Sequence, residues 1–213
     1  MDECALHKPP DLDCEGRAHL RMTWVKVDDV GRTDVVSCFT KRREQLGIHT
    51  EILESRDDAS IVICDYHHRA DEAKSGSVAV PKVEVIKSEV FRRVCPISGQ
   101  RLWLTDADFV GAIQDALYYA VFFDIAPHHV ESFKQGLVEE CAAIERFEPK
   151  TVRFHLFQSE IDPSRWLVLE AFSEPSGLEE HALMPHYRKV RAQLEDWQRS
   201  PRTHDSGYSL LLS

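Results

Sequence analysis

Three side chains in the last quarter of the chain have the types and spacing that acid–base chemistry requires. Glu170 lies two residues before Phe172 in an apolar run, and His181 and His186 follow with four residues between them. A carboxylate facing an apolar layer gains proton affinity, and an imidazole exchanges protons near neutral pH. We therefore predict His181, Glu170 and His186 as candidate catalytic residues. A purely structural role for the carboxylate and its histidine partner is the alternative.

The neighbouring sequence indicates where these side chains point. Leu178 precedes His181 by three residues on a predicted short helix, so both should turn toward the core. There His181 could pair with Glu170, either to move protons or to tie the helix to the sheet. Pro185 opens the next helix and places His186 at its start, where it could line a pocket mouth or reach across an interface.

Aromatic and polar side chains on neighbouring strands predict a pocket for a planar ligand. Arg153, His155 and Phe157 alternate along one strand and so share a face, which could line a polar cavity. The same aromatic spacing also fits ordinary core packing. The predicted substrate-binding residues are Tyr118, Phe122, Arg153, His155, Phe157, Trp166, Phe172 and Tyr187.

Composition narrows the class of partner. The 213 residues carry a formal charge of -10, which disfavours nucleic acid and an anionic membrane surface as partners. No apolar stretch is long enough for a membrane span, and six scattered cysteines fit free thiols in a cytoplasmic protein. The pairs His67-His68 and His128-His129 diverge too much to chelate, so we predict no metal site.

The pattern of the first half predicts a strand, a helix and a hairpin. The strand spans about Met22 to Val27, and a turn and cap at residues 31–34 open a helix that stops at Gly47. The hairpin joins Ile48–Glu54 to Ser60–Tyr66. Residues 78–100 contain β-branched positions but suggest no clear role, and a short helix is expected at 106–115.

The second half repeats the order of strand, helix and two strands. The predicted strands are 117–125, 151–158 and 165–172, with a helix at 128–145 between the first two. Short helices begin near Pro175 and Pro185, and residues 207–212 form a last strand. Residues 52–65 also align with residues 156–170, so that Asp65 falls opposite Glu170, although any two hairpins look alike at this level.

This repetition predicts an α+β fold of tandem ferredoxin-like domains, in which each half covers the apolar sheet face of the other. The expected organisation is an N-terminal arm at 1–19, a degenerate ferredoxin-like domain at 20–100, a linker at 101–116 and a second ferredoxin-like domain at 117–213. Asp65 is not followed by paired histidines, so we expect the first half to be a scaffold.

Residues 118–197 resemble an antibiotic biosynthesis monooxygenase domain, a member of the dimeric α/β-barrel superfamily. The resemblance lies in four segments, which are Tyr119–Phe123, Ala126–Phe133, Trp166–Phe172 and Leu178–Tyr187. It implies that the two halves close into an intrachain dimeric α/β-barrel. It also implies an enzyme that oxidises a small phenol or quinol with molecular oxygen and no cofactor, and that could pair again as a homodimer.

The chain departs from the family pattern at two points. Phe172 stands where the family usually has tryptophan, and the sequence contains no asparagine. Mechanisms that need an active-site asparagine, such as one type of haem cleavage, are therefore disfavoured. With His181 and Glu170 as base, the resemblance favours phenol oxygenation. The alternatives are a non-catalytic small-molecule-binding or interaction module, and an isomerase or lyase of a small carbonyl compound.

Overall fold

The computed structural model describes residues 19–46, 49–56, 60–67, 69–75, 83–94 and 116–212. The predicted arm before residue 19, most of the linker and the short helix expected at 106–115 lie outside these ranges. So do the tip of the first hairpin and the beginning of the segment from residue 78 to residue 100.

In the part of the chain that the structure describes, eight antiparallel strands close into a barrel, and five helices pack on its outside. The strands are β1 His19–Lys26, β2 His49–Ser55, β3 Ser60–His67, β4 Glu84–Arg93, β5 Leu117–Ile125, β6 Thr151–Ser159, β7 Arg165–Phe172 and β8 Gln198–Leu212. The helices are α1 Asp29–Leu46, α2 Ala70–Ser75, α3 Val130–Phe147, α4 Pro175–Leu183 and α5 Pro185–Trp197. A 3-10 turn, Pro127–His129, precedes α3. The predicted α+β class is confirmed.

The order of strands around the barrel is β1-β3-β2-β8-β5-β7-β6-β4. The first four strands lie side by side in the order β4-β1-β3-β2. The last four have the equivalent order, β8-β5-β7-β6. Strand β8 pairs with β2, and β4 pairs with β6, so the last strand of each set closes the barrel against the other set.

Alternation along the strands creates separate inner and outer cores because both faces of the sheet are buried. The inner core combines residues of both strand sets, including Met22, Val62, Tyr118 and Leu167. One outer core lies under α3 and α5, and another lies under α1. The two-sided apolar pattern of β5 therefore arises because one face lines the barrel and the other meets helices.

A buried ion pair crosses the barrel interior. Arg153 on β6 donates two hydrogen bonds to the carboxylate of Glu51 on β2, at 2.7 and 2.6 Å. The phenol of Tyr66 also donates to Glu51 at 2.9 Å, and the guanidinium lies 5.2 Å from the ring centre of Tyr118. Both charged side chains are almost inaccessible, at 1% and 0% exposure, so each charge depends on the other.

Several predicted element boundaries are wrong. Helix α1 begins at Asp29 because the carboxylate of Asp28 caps it by accepting a hydrogen bond from the Gly31 N–H at 2.7 Å. The polar stretch after β3 contains α2, and the segment without an expected role provides β4. Strand β8 begins directly after α5, well before the predicted residue 207.

Candidate functional site

The outer face of the second strand set positions the predicted catalytic residues. Glu170 lies on β7 and points out of the barrel toward α4, where His181 is buried. Helix α4 can approach this closely because it has a glycine at Gly177, where a Cβ atom would come within 3.3 Å of Phe172. Lys150 also donates a 2.6 Å hydrogen bond to Glu180 and so fastens α4 beside β6.

The centre of the site is Glu148, which the sequence analysis did not select. Its buried carboxylate accepts a hydrogen bond from Thr151 Oγ1 at 2.7 Å and another from His181 Nδ1 at 3.0 Å. It also binds Nε2 of His186. Because Glu148 ends α3 and its partners lie on β6, α4 and α5, one carboxylate connects four elements. We call Glu148, Thr151, His181 and His186 the Glu148 cluster.

The predicted pairing of Glu170 with His181 is only partly correct. The Nε2 atom of His181 lies 4.0 Å from Glu170 Oε2, which is an ion-pair distance but too long for a hydrogen bond. The closer partner of His181 is Glu148, on the other ring nitrogen. With Nδ1 held in this way, Nε2 faces Glu170.

A small cavity lies beside this nitrogen, between the sheet and the helices α3, α4 and α5. Its volume is about 30 Å³, enough for one or two water molecules. Its walls are mostly apolar, and its polar groups include a second buried carboxylate, that of Glu140 on α3. The residues that matter most for chemistry are Phe154, Glu170, Glu140, His181, Tyr187 and Arg191.

The structure does not bring the predicted substrate-binding residues into one pocket. Tyr118, Phe122, Arg153, His155 and Phe157 lie inside the barrel, on the face opposite to Glu170. Trp166 and Phe172 lie on the outer face but belong to packing, and Tyr187 alone of the predicted set borders the cavity. His186 binds the carboxylate of Glu148 and does not line the cavity.

The aromatic neighbours fix the ring of His181. The ring centre of Phe172, at the position where the family pattern has tryptophan, lies 5.7 Å from the ring centre of His181. The ring centre of Tyr187 lies 4.8 Å from it, and the two rings meet edge to face. Phe154 packs 6.3 Å away on the cavity side. The imidazole is therefore held by packing as well as by its hydrogen bond to Glu148.

Three carboxylates determine the charge of the imidazole. Burial by itself lowers the pKa of His181, but the hydrogen bond to Glu148 and the charges of Glu170, Glu148 and Glu140 outweigh it and raise that pKa. Burial also tends to raise the pKa of Glu148, yet its hydrogen bonds with His181 and Thr151 hold that pKa below its ordinary value. At neutral pH Glu148 is thus an ionised acceptor.

We expect a pH dependence of stability with its source in His181. The raised pKa means that its protonation stabilises the fold fully below the ordinary value of 6.5, and that this contribution is lost as pH rises through the folded-state pKa. Urea unfolding between pH 6 and 9 should show a decline in the free energy of unfolding that His181→Gln lacks. Parallel curves for the two proteins would contradict this assignment, because the charged groups around His181, namely Glu140, Glu148 and Glu170, are present in both proteins.

The Glu148 cluster also contains the one metal-ligand set found among the described residues. Glu148, His181 and His186 each offer one ligand atom, and these atoms lie within 4.8 Å of one another. Two histidines and one carboxylate are a common ligand set for divalent ions. In this structure both imidazoles are hydrogen-bonded to the carboxylate of Glu148, and these hydrogen bonds explain how the three groups come together.

Glu148 and Glu140 did leave a signal in the sequence. Both fall on the helical stripe formed by Leu137, Cys141 and Ile144, since residues three or four apart share a helix face. An acidic residue on an apolar stripe is rarely buried without a partner. The positions of Glu140 and Glu148 on this stripe, more than any motif, could have indicated their burial.

The fold is similar to solved structures of several oxygenase-like proteins. A putative monooxygenase of Lactobacillus acidophilus matches with a TM-score of 0.66 and 13% identity, covering 91% of this chain and 94% of that one. One from Fusobacterium nucleatum matches with a TM-score of 0.67 and 9% identity over 93% and 94%. An anthrone oxidase-like protein matches with a TM-score of 0.64 and 8% identity, covering 93% of each chain.

At these identities the likeness shows the fold alone. The chain has the α/β-barrel fold of these putative monooxygenases, which is the fold that the resemblance of residues 118–197 implied. No protein-family model matches the chain, and no curated protein matches it. None of the helices that the structure describes is long and apolar enough to cross a membrane.

Proposed function

We propose that this protein is a cofactor-independent monooxygenase of a small phenolic or quinol substrate. The observation that carries the proposal is the position of His181 Nε2, which faces Glu170 beside a mostly apolar cavity while Nδ1 is held by Glu148. An oriented imidazole with one free direction is suited to accept a proton from a bound hydroxyl group. The fold shared with monooxygenases supports this reaction class.

The proposed reaction begins with proton transfer. His181, assisted by the charge of Glu170, takes the substrate hydroxyl proton, and the resulting phenolate supplies electrons to dioxygen. A peroxide forms at a ring carbon and takes the proton back. Loss of water, which takes the hydrogen still bound to that carbon, leaves a carbonyl group. One oxygen atom enters the product and the other leaves as water, so the substrate is the only reductant.

The size of the cavity sets a condition on this proposal. A volume of about 30 Å³ is far below the roughly 300 Å³ of typical ligand pockets. An aromatic ring can enter only if side chains at the border move. Tyr187 and Arg191 are the candidates, since both lie on α5 and both are more exposed than the sheet residues beneath them. The small volume is also the observation that favours the alternative, a non-catalytic binding or interaction module.

The deciding experiment compares turnover in air with turnover under nitrogen. The protein is incubated with a panel of hydroquinones and anthrones in air and under nitrogen, with oxygen uptake and product formation as readouts. We expect uptake that depends on protein, substrate and oxygen together. Binding without uptake would support the non-catalytic module instead. Turnover of a carbonyl compound under nitrogen would indicate an isomerase or lyase.

We also propose that the barrel is an internal pairing of two related halves, of which the first is a scaffold. Asp65 lies opposite Arg21 in β1, just as Glu170 lies opposite Tyr119 in β5. In the first half, the guanidinium of Arg21 donates a hydrogen bond to the carboxylate of Asp65 at 2.7 Å and another to the Ala73 carbonyl at 3.3 Å. This ion pair occupies the space that a site in the first half would need.

A further inference from the structure

The Glu148 cluster extends from the cavity to the protein surface. Glu170 Oε2 lies 4.0 Å from His181 Nε2, and His181 Nδ1 lies 3.0 Å from Glu148 Oε2. The other carboxylate oxygen of Glu148 binds His186 Nε2. The side chain of His181 is 3% exposed, whereas that of His186 is 14% exposed and reaches the surface. The chain of polar atoms therefore has one end in the cavity and the other near solvent.

Each member of this chain can both accept and give up a proton. An imidazole that receives a proton on one nitrogen can release the proton of its other nitrogen, so two imidazoles on either side of a carboxylate transmit a proton without moving. Thr151 holds Glu148 in place by its hydroxyl group at 2.7 Å. A purely structural role of Glu148 would not require both histidines, because Thr151 and His181 alone already form hydrogen bonds with both oxygens of its carboxylate.

We propose that Glu148 and His186 form a proton relay that connects His181, and through it the cavity, with solvent. This inference rests on the proposed function in one respect, since His181 is the group that receives the substrate proton. Glu148 and His186 do not line the cavity and act through His181. They are relay and positioning residues.

The steps of the relay balance. A proton from the cavity forms a bond to Nε2 of His181 while the Nδ1–H bond breaks and its proton moves to Glu148. Glu148 passes this proton to His186 when that imidazole is in the tautomer with its proton on Nδ1 and the lone pair of Nε2 toward the carboxylate, and His186 then releases the Nδ1 proton to water. No electron is transferred. The reverse sequence returns a proton to the peroxide and restores the starting tautomer of His181.

The test does not need a substrate. Histidine labelled with ¹⁵N in the full-length protein allows the exchange of the His181 ring proton with water to be measured by NMR. His186→Gln keeps a hydrogen-bond donor for Glu148 but does not titrate. We expect exchange to be slower by roughly tenfold or more in this variant, because it then requires local opening of the structure. Lys189→Gln is the matched control on the same helix, where Lys189 pairs with Glu139 at 2.9 Å, and it should exchange at the wild-type rate.

Chemical rescue separates a relay from a clamp. His186→Ala leaves space near the surface, and added imidazole should restore exchange in this variant but not in His186→Gln, where the side chain fills the space. The relay is wrong if His186→Gln exchanges like the wild type, or if imidazole fails to restore exchange in a folded His186→Ala protein. If exchange behaves as expected but no substrate consumes oxygen, the relay stands and the proposed oxygenase fails.

Discussion

Replacement of His181 by alanine is expected to remove oxygen-dependent turnover, with kcat/KM lower by roughly 100-fold or more. His181 is the only imidazole among the residues that border the cavity, and its ring is oriented by Glu148 and Tyr187. Glu170 Oε2 lies 4.0 Å from its Nε2 atom. The measurement is the rate of oxygen uptake with the best quinol or anthrone of the substrate panel.

Two comparisons make this result specific. His128→Ala removes an exposed histidine from the turn before α3 and should leave the rate unchanged. His181→Gln keeps a donor near Glu148 and should be folded but inactive, as judged by circular dichroism and thermal unfolding. A folded His181→Ala protein that keeps more than a third of the wild-type rate would show that this imidazole is not the base.

Replacement of Arg153 by methionine is expected to lower the free energy of unfolding by about 3–5 kcal/mol. The change removes both guanidinium hydrogen bonds from the carboxylate of Glu51, which stays buried in the barrel and keeps the neutral phenol of Tyr66 as a donor. An uncompensated charge in such a place is costly because no water can solvate it. Burial and the charge of Glu51 raise the pKa of Tyr66, so its phenol stays neutral and offers the carboxylate a hydrogen bond but no positive charge. Urea unfolding followed by tryptophan fluorescence measures the effect.

A double variant distinguishes the cost of an unpaired charge from the value of the pair. Arg153→Met combined with Glu51→Leu removes both charges and should recover most of the stability lost in the single variant. Arg165→Met is the surface control. Arg165 also makes two hydrogen bonds to one carboxylate, that of Glu89, but both are partly exposed, so the loss should be about 1 kcal/mol or less. A double variant as unstable as the single one would refute the explanation.

Periodicity predicted the second strand set well. Strand β5 has the bounds expected from its apolar run, and α3 buries Phe133, Leu137, Cys141 and Ile144 as its stripe indicated. These elements are long and have one dominant pattern. The first set was harder because α2 and β4 have weak patterns. Half of the residues of β4 are exposed and only Phe91 is buried, and the strand is held in place by its long pairing with β1.

The candidate pocket could not be assembled from sequence for a different reason. Alternation correctly placed Arg153, His155 and Phe157 on one face of β6. In a covered barrel both faces are apolar, so alternation does not tell which face lies under helices and which lies inside. Residues of opposite faces were therefore combined into one predicted pocket.

The Glu148 cluster shows a further limit of local patterns. Glu148 binds histidines that follow it by 33 and 38 residues, and its partners come from separate helices. The sequence analysis identified both histidines because they form a motif, but it paired His181 with Glu170. Only the three-dimensional docking of α4 and α5 against the end of α3 shows that a different carboxylate is closer.

The position of β8 has a consequence for synthesis of the chain. Strand β8 lies between β5 and β2, and β2 has β3 as its other neighbour. Until β8 has emerged from the ribosome, the backbone N–H and C=O groups along one edge of β2 have no strand to pair with. An open edge of this kind invites association with other nascent chains. Protection of the first half from aggregation therefore depends on a strand that is made after the other seven described strands.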